Sequence, residues 1–291
     1  MDQMRALFLV SPVEIPHNTN HELIPDVLRR HGWAVETAPH ESLVSDNGRL
    51  CCEHHLLAEF DLIWPVGFGP AGSYLDRTQL LSSDPSLPMI TPPESVTRLH
   101  SKIAWLEFAP ASCVARNAHM LRSWGEANPG PWMLKPNAGS HGTNVTYIED
   151  LNHLDQLIDA KTSAYWILQR FIPAIAEGEL RVIVVGGEVI GAYLRQPSPG
   201  SHLANLARGG QARPAQLNEA QAGLLKPVIR RLIGERVGYA AIDLCGEWVM
   251  EVNVANPGGL ATLENLYGDA PLQRFVTGLQ TWLKDKRNNS N

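Results

Sequence analysis

A mixed α/β (α+β) fold, an open α/β domain followed by antiparallel hairpins, is predicted by three features of this 291-residue sequence. β-Rich runs alternate with helical patterns over roughly the first 95 residues. Pro92-Pro93 then interrupts the chain. Beyond it, pairs of apolar runs are joined by turn signals at Gly186-Gly187 and near Gly246. The divisions that follow are 1–95, 96–165 and 166–291.

Composition narrows the class. A hydrophobic content of 44% and a charged content of 19% describe an ordinary globular protein with ample core. The net charge of −6 argues against a general nucleic-acid binder, which needs surplus cations for phosphate backbones. Cys51, Cys52, Cys113 and Cys245 have neither CxxC spacing nor disulfide-scaffold density, and a reducing cytosol is the simplest home. The apolar run near the N-terminus is too short for a signal peptide or a membrane span. A soluble, cytoplasmic protein with no membrane contact is expected.

In the first domain, strands are expected over 5–10, 34–37, 60–66 and 88–91, with helices over 21–31 and 73–81. GFGPAG (67–72) lies at a strand's carboxyl end, where open α/β sheets bind ligands, although a plain turn is the preferred reading of it alone. A helix over 93–108 carries Lys102. A strand at 112–115, a helix at 119–127 and a strand at 132–135 follow. NAGSHGTN then leads to a hairpin partner at 145–148, a helix at 151–158 and a strand at 165–171. The hairpin of 181–185 and 188–195 precedes a long Pro/Ser/Gly-rich loop, 196–214. A helix over 219–236, the hairpin of 240–244 and 248–254, and a closing helix over 269–286 complete the chain, with DKRNNSN as a frayed tail.

The chemistry concentrates in YAAIDLCGEWVMEVNV. A hairpin closing near Gly246 brings Asp243 close to Glu251, and strand alternation puts Glu251 and Asn253 on one face. Two carboxylates and an amide oxygen suit magnesium, though a solvated acidic face shows the same pattern. Lys135 inside the apolar strand WMLKP must either snorkel or meet an anion, whereas Lys102 fits a helix surface as well. Gly139, Ser140, His141 and Gly142 form a loop whose N–H groups could cradle phosphates or serve only as a turn. Arg181 and Arg195, in apolar runs on adjacent strands, need carboxylate or phosphate partners. Glu179 shares a face with Arg181. No histidine spacing suits zinc, and no GxSxG nucleophile is present.

The ordered set LKP with its glycine-rich loop, LQRFIPAIAEGELRVIVV, NLARGG and AAIDLCGEWVMEVNV resembles the ATP-grasp carboxylate–amine ligases, and within them prokaryotic glutathione synthetase. The resemblance extends upstream through TPPESVTRLHSKIAWLEF to the opening strand. It implies an ATP-grasp fold behind an N-terminal open α/β domain, with ATP and one or two Mg2+ ions (or Mn2+) as cofactors. By position it implies that Lys102 and Lys135 hold phosphates. The backbone of Gln169, Arg170, Phe171 and Ile172 would meet adenine, with Glu179 near the ribose. Arg181 and Arg195 would stabilise the phosphoryl group in flight, and Asp243, Glu251 and Asn253 would bind the metal. The implied reaction runs through an acyl phosphate that an amine attacks, which requires positioning and charge neutralisation and no protein nucleophile.

Departures from the family pattern fall on the substrate side. NVANPGG (253–259) stands where two hydroxyl residues are usual, and LANLARGGQ (203–211) places Leu203 and Gln211 where arginines are usual. VGFGPAG replaces a basic segment. Asn205, Arg208, Gly209, Asn256, Gly258 and Gly259 are the substrate-facing candidates. The reading is γ-glutamylcysteine joined to glycine by a homo-oligomer, dimer or tetramer. The alternatives are a related ligase for another small acid and amine, or one that adds amino acids to a protein. A nucleotide-binding protein without catalysis is disfavoured because every metal and phosphate position is present.

Overall fold

The computed structural model describes residues 3–11, 18–137, 144–158, 164–198, 200, 202, 204–206 and 209–288. The first strand, β1 (Arg5–Val10), is apolar on both faces and lies between β2 (Ala34–Pro39) and β6 (Leu62–Pro65), paired parallel to both. Helix α1 (Asn20–Arg30) covers this sheet with Ile24, Val27 and Leu28 and stops before Gly32, whose φ of 83° no β-carbon favours. Between β2 and β6 the chain makes a small antiparallel sheet that the strand pattern above does not anticipate: β3 (Leu43–Asp46), β4 (Arg49–Cys52) and β5 (His55–Leu56). Helix α2 (Tyr74–Ser82) follows the glycine-rich segment.

Several expectations are corrected. The strand expected at 88–91 is a single parallel bridge, Ile63 to Met89, since Pro88 and Pro92 leave little room for a ladder. The helix expected over 93–108 divides into α3 (Pro93–Leu99) and a 3-10 stretch, Lys102–Phe108. The break is Ser101, which is extended and whose hydroxyl accepts from the Ile103 N–H to start the second piece.

The middle of the chain forms a four-stranded antiparallel sheet in the order β7 (Ser112–Ala115), β10 (Trp166–Arg170), β8 (Trp132–Pro136), β9 (Thr146–Ile148). Helix α4 (Ala118–Ala127) packs on it beside a 3-10 turn, Leu151–His153, that runs into α5 (Leu154–Leu157) rather than one continuous helix. The third sheet is five-stranded, in the order β13 (Gln211–Pro214), β12 (Glu188–Gln196), β11 (Glu179–Val185), β14 (Tyr239–Cys245), β15 (Trp248–Asn253). The end of the expected 196–214 loop is thus an edge strand. Gly186 and Gly187, with φ of 57° and 88°, make the β11–β12 turn.

Helix α6 (Glu219–Gly234) begins with a capping box between Asn218 and Gln221 and covers one face of the third sheet with Leu225, Val228 and Leu232. The other face is covered by α7 (Leu260–Tyr267), which was not expected, and α8 (Ala270–Asn288). The latter continues through Asp285 to Asn288, part of the tail expected to fray. One hydrophobic cluster joins the first and third sheets, with Trp64 of β6 against Phe8, Tyr239 and Phe275 at ring distances of 5.6, 5.3 and 6.1 Å.

A polar clasp supplements this shared core. The buried Asn20 Nδ2 donates to Asn256 Oδ1 and to Pro257 O, both at 2.9 Å, and Asn18 Nδ2 donates to Asn256 O at 3.0 Å. Asn20→Ala leaves two acceptors without their donor, so we expect a loss of about 1–3 kcal/mol of stability in urea unfolding. A loss near zero would mean that water replaces the amide.

Candidate active site

The third sheet gathers charge on one face. Antiparallel register sets Arg181 opposite Asp243, Asp243 opposite Glu251, Ala241 opposite Asn253, and Glu179 opposite Arg195. The β14–β15 register shifts just after Asp243, so Met250 has no partner on β14. Asp243 is only 1% exposed. Arg181 grips it with a fork, Nε to Oδ1 at 2.8 Å and Nη2 to Oδ2 at 2.7 Å, while its Nη1 donates to Gly258 O at 3.1 Å. Arg195 Nη2 lies 2.7 Å from Asp243 Oδ2 and 2.8 Å from Glu179 Oε2, and its Nε has no acceptor among the described residues.

Burial alone would raise the Asp243 carboxyl, but Arg181 and Arg195 outweigh it and hold it below the usual carboxylate range. Burial also opposes ionisation of Glu251, and there Lys102, with Nζ 3.1 Å from Oε1, reverses the sign. For Glu179 burial wins over Arg195 and pushes the carboxyl up to about 7. Lys135, on β8, reaches across to Gln169 Oε1 at 2.7 Å, and Gln169 Nε2 donates to Ser112 Oγ at 2.9 Å. Burial, then the neighbouring Lys102, lowers the Lys135 ammonium to about 8.

Part of this set borders a cavity of about 530 Å³ between the third sheet and the first domain, and Lys102, Lys135, Gln169 and Glu179 do not line it. Arg181, Arg195, Glu251, Asn253, Asn205, Asn256, Gly258 and Gly259 all line it. Asp243 stands behind that wall, both oxygens committed to arginines. Gly209 does not line it; its N–H donates to Leu206 O at 3.1 Å and its carbonyl accepts from Ser198 Oγ at 2.8 Å. Gly139, Ser140, His141, Gly142 and Arg208 lie outside the described residues. In the 169–172 segment the Arg170 and Phe171 N–H groups are committed to Ala111 O and Pro131 O, both at 2.9 Å.

Sequence reasoning missed several groups. Ser112 fixes the Gln169 amide; Tyr147 and His202 close on Phe171 with ring distances of 4.9 and 5.0 Å. His100 lines the cavity, its pKa lowered by burial and its Nδ1 unpartnered among the described residues. Nothing local in the sequence marks these contacts, which form between distant segments. A different set, Glu53, His54 and His55 on the β4–β5 turn, brings ligand atoms within 4.8 Å of one another, a grouping that spacing rules for histidine do not detect.

Hard oxygens beside clustered cations suit a metal–nucleotide complex: Glu251 and Asn253 lie at the cavity wall and could hold a metal, and Lys102, Lys135, Arg181 and Arg195 are the cations that phosphates could meet. Solved structures share the fold. D-cycloserine synthetase DcsG superposes with a TM-score of 0.70 at 17% identity, covering 96% of this chain and 99% of that one. The ATP-grasp ligase PsnB, complexed with minimal precursor, Mg and ADP, gives 0.67 at 14% identity, covering 96% and 99%. The fold is therefore that of the ATP-grasp enzymes, and the glutathione synthetase profile that matches residues 100–268 makes the chain an ADP-forming ligase that uses ATP and Mg2+.

The family follows from sequence. The profile described as prokaryotic glutathione synthetase, ATP-grasp domain, matches residues 100–268. The glutathione synthetase of Parasynechococcus marenigrum (strain WH8102) is 30% identical over 240 residues, 79% of this chain and 78% of that protein. That of Vibrio cholerae is 27% identical over 221 residues, covering 72% and 69%. The chain belongs to the prokaryotic glutathione synthetase family of ATP-grasp ligases. Among the described residues, no helix is long and apolar enough to cross a membrane.

The Lys135 shift has a testable sign. The lysine is depressed in the free fold, so if it holds ATP phosphates, binding has to restore its charge at any pH above about 8. We expect ATP affinity to fall about tenfold between pH 7 and pH 9. Lys135→Met should bind weakly with a flatter profile. Equal slopes for both proteins in titration calorimetry would remove Lys135 from phosphate binding.

Proposed function

We propose that this ligase joins γ-glutamylcysteine to glycine, forming glutathione, and that the clustered residues divide the work as follows. Lys102 and Lys135 hold ATP phosphates, and the 169–172 segment and Glu179 hold the nucleoside. Arg181 and Arg195 neutralise the charge of the γ-phosphoryl group as it passes to the acid's carboxylate. ADP departs and an acyl phosphate remains. The amine then attacks the acyl carbon, phosphate leaves, and the amine gives up its proton. Glu251 and Asn253, with Asp243 behind them, are the residues that would hold Mg2+, which supplies charge neutralisation at the phosphates. Asn205, Asn256, Gly258 and Gly259 face the acid and the amine.

The observation that carries this reading is the convergence of Arg181, Arg195, Glu251 and Asn253 on one wall of the cavity, with Asn18 and Phe68 of the first domain lining it too. Phosphoryl chemistry and a small substrate fit in that one space. The family relatives named above supply the particular acid and amine. A second reading, a different acid and amine, is favoured by Gln211. It stands at the start of the edge strand opposite Gln196 and brings no charge to the cavity. A cytoplasmic location and a homo-oligomer, dimer or tetramer, belong to the proposal, and light scattering tests the latter.

The deciding assay measures phosphate release from ATP and Mg2+ with both substrates and with each alone. Release that needs both, with glutathione seen by mass, is expected. Silence with ATP binding intact favours the second reading. Glu251→Gln removes one anionic metal ligand and leaves the sheet's hydrogen bonds alone; turnover should drop at least 100-fold with an unchanged circular dichroism spectrum. Full activity in that variant would overturn the metal assignment.

A further inference from the structure

The wall of the cavity opposite the sheet is the glycine-rich segment 67–70, and its backing is unusual. Arg77 of α2 is a buried cation with no carboxylate partner among the described residues. Its Nη2 donates instead to two main-chain carbonyls, Phe68 O at 2.7 Å and Pro70 O at 2.9 Å, and its Nη1 to Ser73 Oγ. His40, buried and with its pKa lowered by that burial, lies beside it with Nε2 3.3 Å from Val66 O. Between them sits Gly69, at φ 62°, where an added β-carbon would come within 2.8 Å of both Arg77 Nη2 and His40 Cγ. A desolvated guanidinium without a counter-ion is costly. Neutral donors could hold an ordinary turn.

The arrangement has a directional consequence. Phe68 O and Gly69 N–H belong to one trans peptide and point in opposite directions. With the carbonyl turned to Arg77, the Gly69 N–H faces the other side of the segment. Residues 67–70 line the cavity and Arg77 does not, so the segment stands between them. No described residue accepts from the Gly69 N–H. The guanidinium charge behind the peptide polarises it and strengthens that donor.

We propose that the Gly69 N–H is a binding group for a carboxylate on the non-reacting end of the acid substrate, with Arg77 as its positioning residue. The main chain then supplies the anion recognition that the segment VGFGPAG, lacking basic side chains, does not. Phe68 is carried by the same peptide, and its ring packs edge-on to His100 at 4.8 Å, so the clamp also fixes the aromatic part of the wall. The inference rests on the ligase reading above for its substrate.

The test compares wild type, Arg77→Met and Arg77→Lys with γ-glutamylcysteine and with its analogue in which the glutamyl α-carboxylate is a carboxamide. Wild type should prefer the carboxylate about tenfold or more in kcat/KM. Arg77→Met should raise KM for the acid, leave KM for ATP and glycine unchanged, and lose that preference. Arg77→Lys, which keeps the charge without the fork, should recover part of it. An unchanged preference in Arg77→Met overturns the inference, as does an equal rise in KM for ATP. Because Arg77→Met could unfold α2, Gly69→Ala, which crowds the clamp from the other side, should give the same signature. If wild type turns over neither acid, the glutathione reading fails separately. The Gly69 amide resonance is then titrated with glutarate as the dicarboxylate probe. A displacement in wild type that is absent in Arg77→Met supports the site, and no displacement overturns it.

Discussion

The buried contact between Asp243 and two arginines is the constraint on which the rest of the site depends. A carboxylate this deep stays ionised only because Arg181 and Arg195 meet it, and each guanidinium stays buried only because Asp243 and Glu179 answer it. Removing one partner of such a network costs roughly 3–5 kcal/mol through the charge left behind. The network also fixes the order of strands. Arg181 and Glu179 come from β11, Arg195 from β12 and Asp243 from β14, so a slip of one residue in either ladder would turn a charged side chain into the hydrophobic face. Chemistry and register enforce each other.

Glu179 marks how finely the charges are matched. Its carboxyl, pushed up to about 7 by burial, is the weakest acid of the group, while Asp243 is held ionised. Two cations therefore face one firm anion and one that is partly protonated near neutrality. The two arginines are then only partly compensated near neutrality, which leaves positive charge that a phosphate could answer. Lys135, lowered to about 8 by burial, keeps most of its charge at neutral pH and rests on Gln169 Oε1.

Much of this is legible in the sequence, for definite reasons. Strand periodicity puts Glu251 and Asn253 on one face, and the turn at Gly246 brings Asp243 opposite Glu251, as the register shows. The bulge that leaves Met250 without a partner has no comparable signal. The β3–β4 hairpin did have one: Asn47 and Gly48, at φ 52° and 84°, form the turn that such a dipeptide favours, between short runs too polar to attract notice. Helix α7 follows directly on Pro257-Gly258-Gly259, which reads as loop, and tertiary packing of Leu260 and Leu263 decides it. Arg77, His40 and Ser112 act through contacts whose partners lie far from them in space-blind reading, or through main-chain carbonyls. Side-chain patterns do not encode a carbonyl's direction.

That difference separates the two halves of the cavity. The sheet side is built from side chains on paired strands, where identity, spacing and register are all constrained and a family pattern is readable. The opposite wall includes the segment 67–70, whose carbonyls at 68 and 70 are held by Arg77, and the Asn18 and Asn20 clasp ties the first domain to residues 256 and 257. A segment held by its carbonyls, as VGFGPAG is at residues 68 and 70, can carry different side chains while its peptide groups keep their places. Substrate preference can therefore drift on one side of the cavity without disturbing the buried ion network on the other, provided that Arg77 keeps the shape of its segment and the Asn18 and Asn20 clasp keeps the first domain against the third sheet.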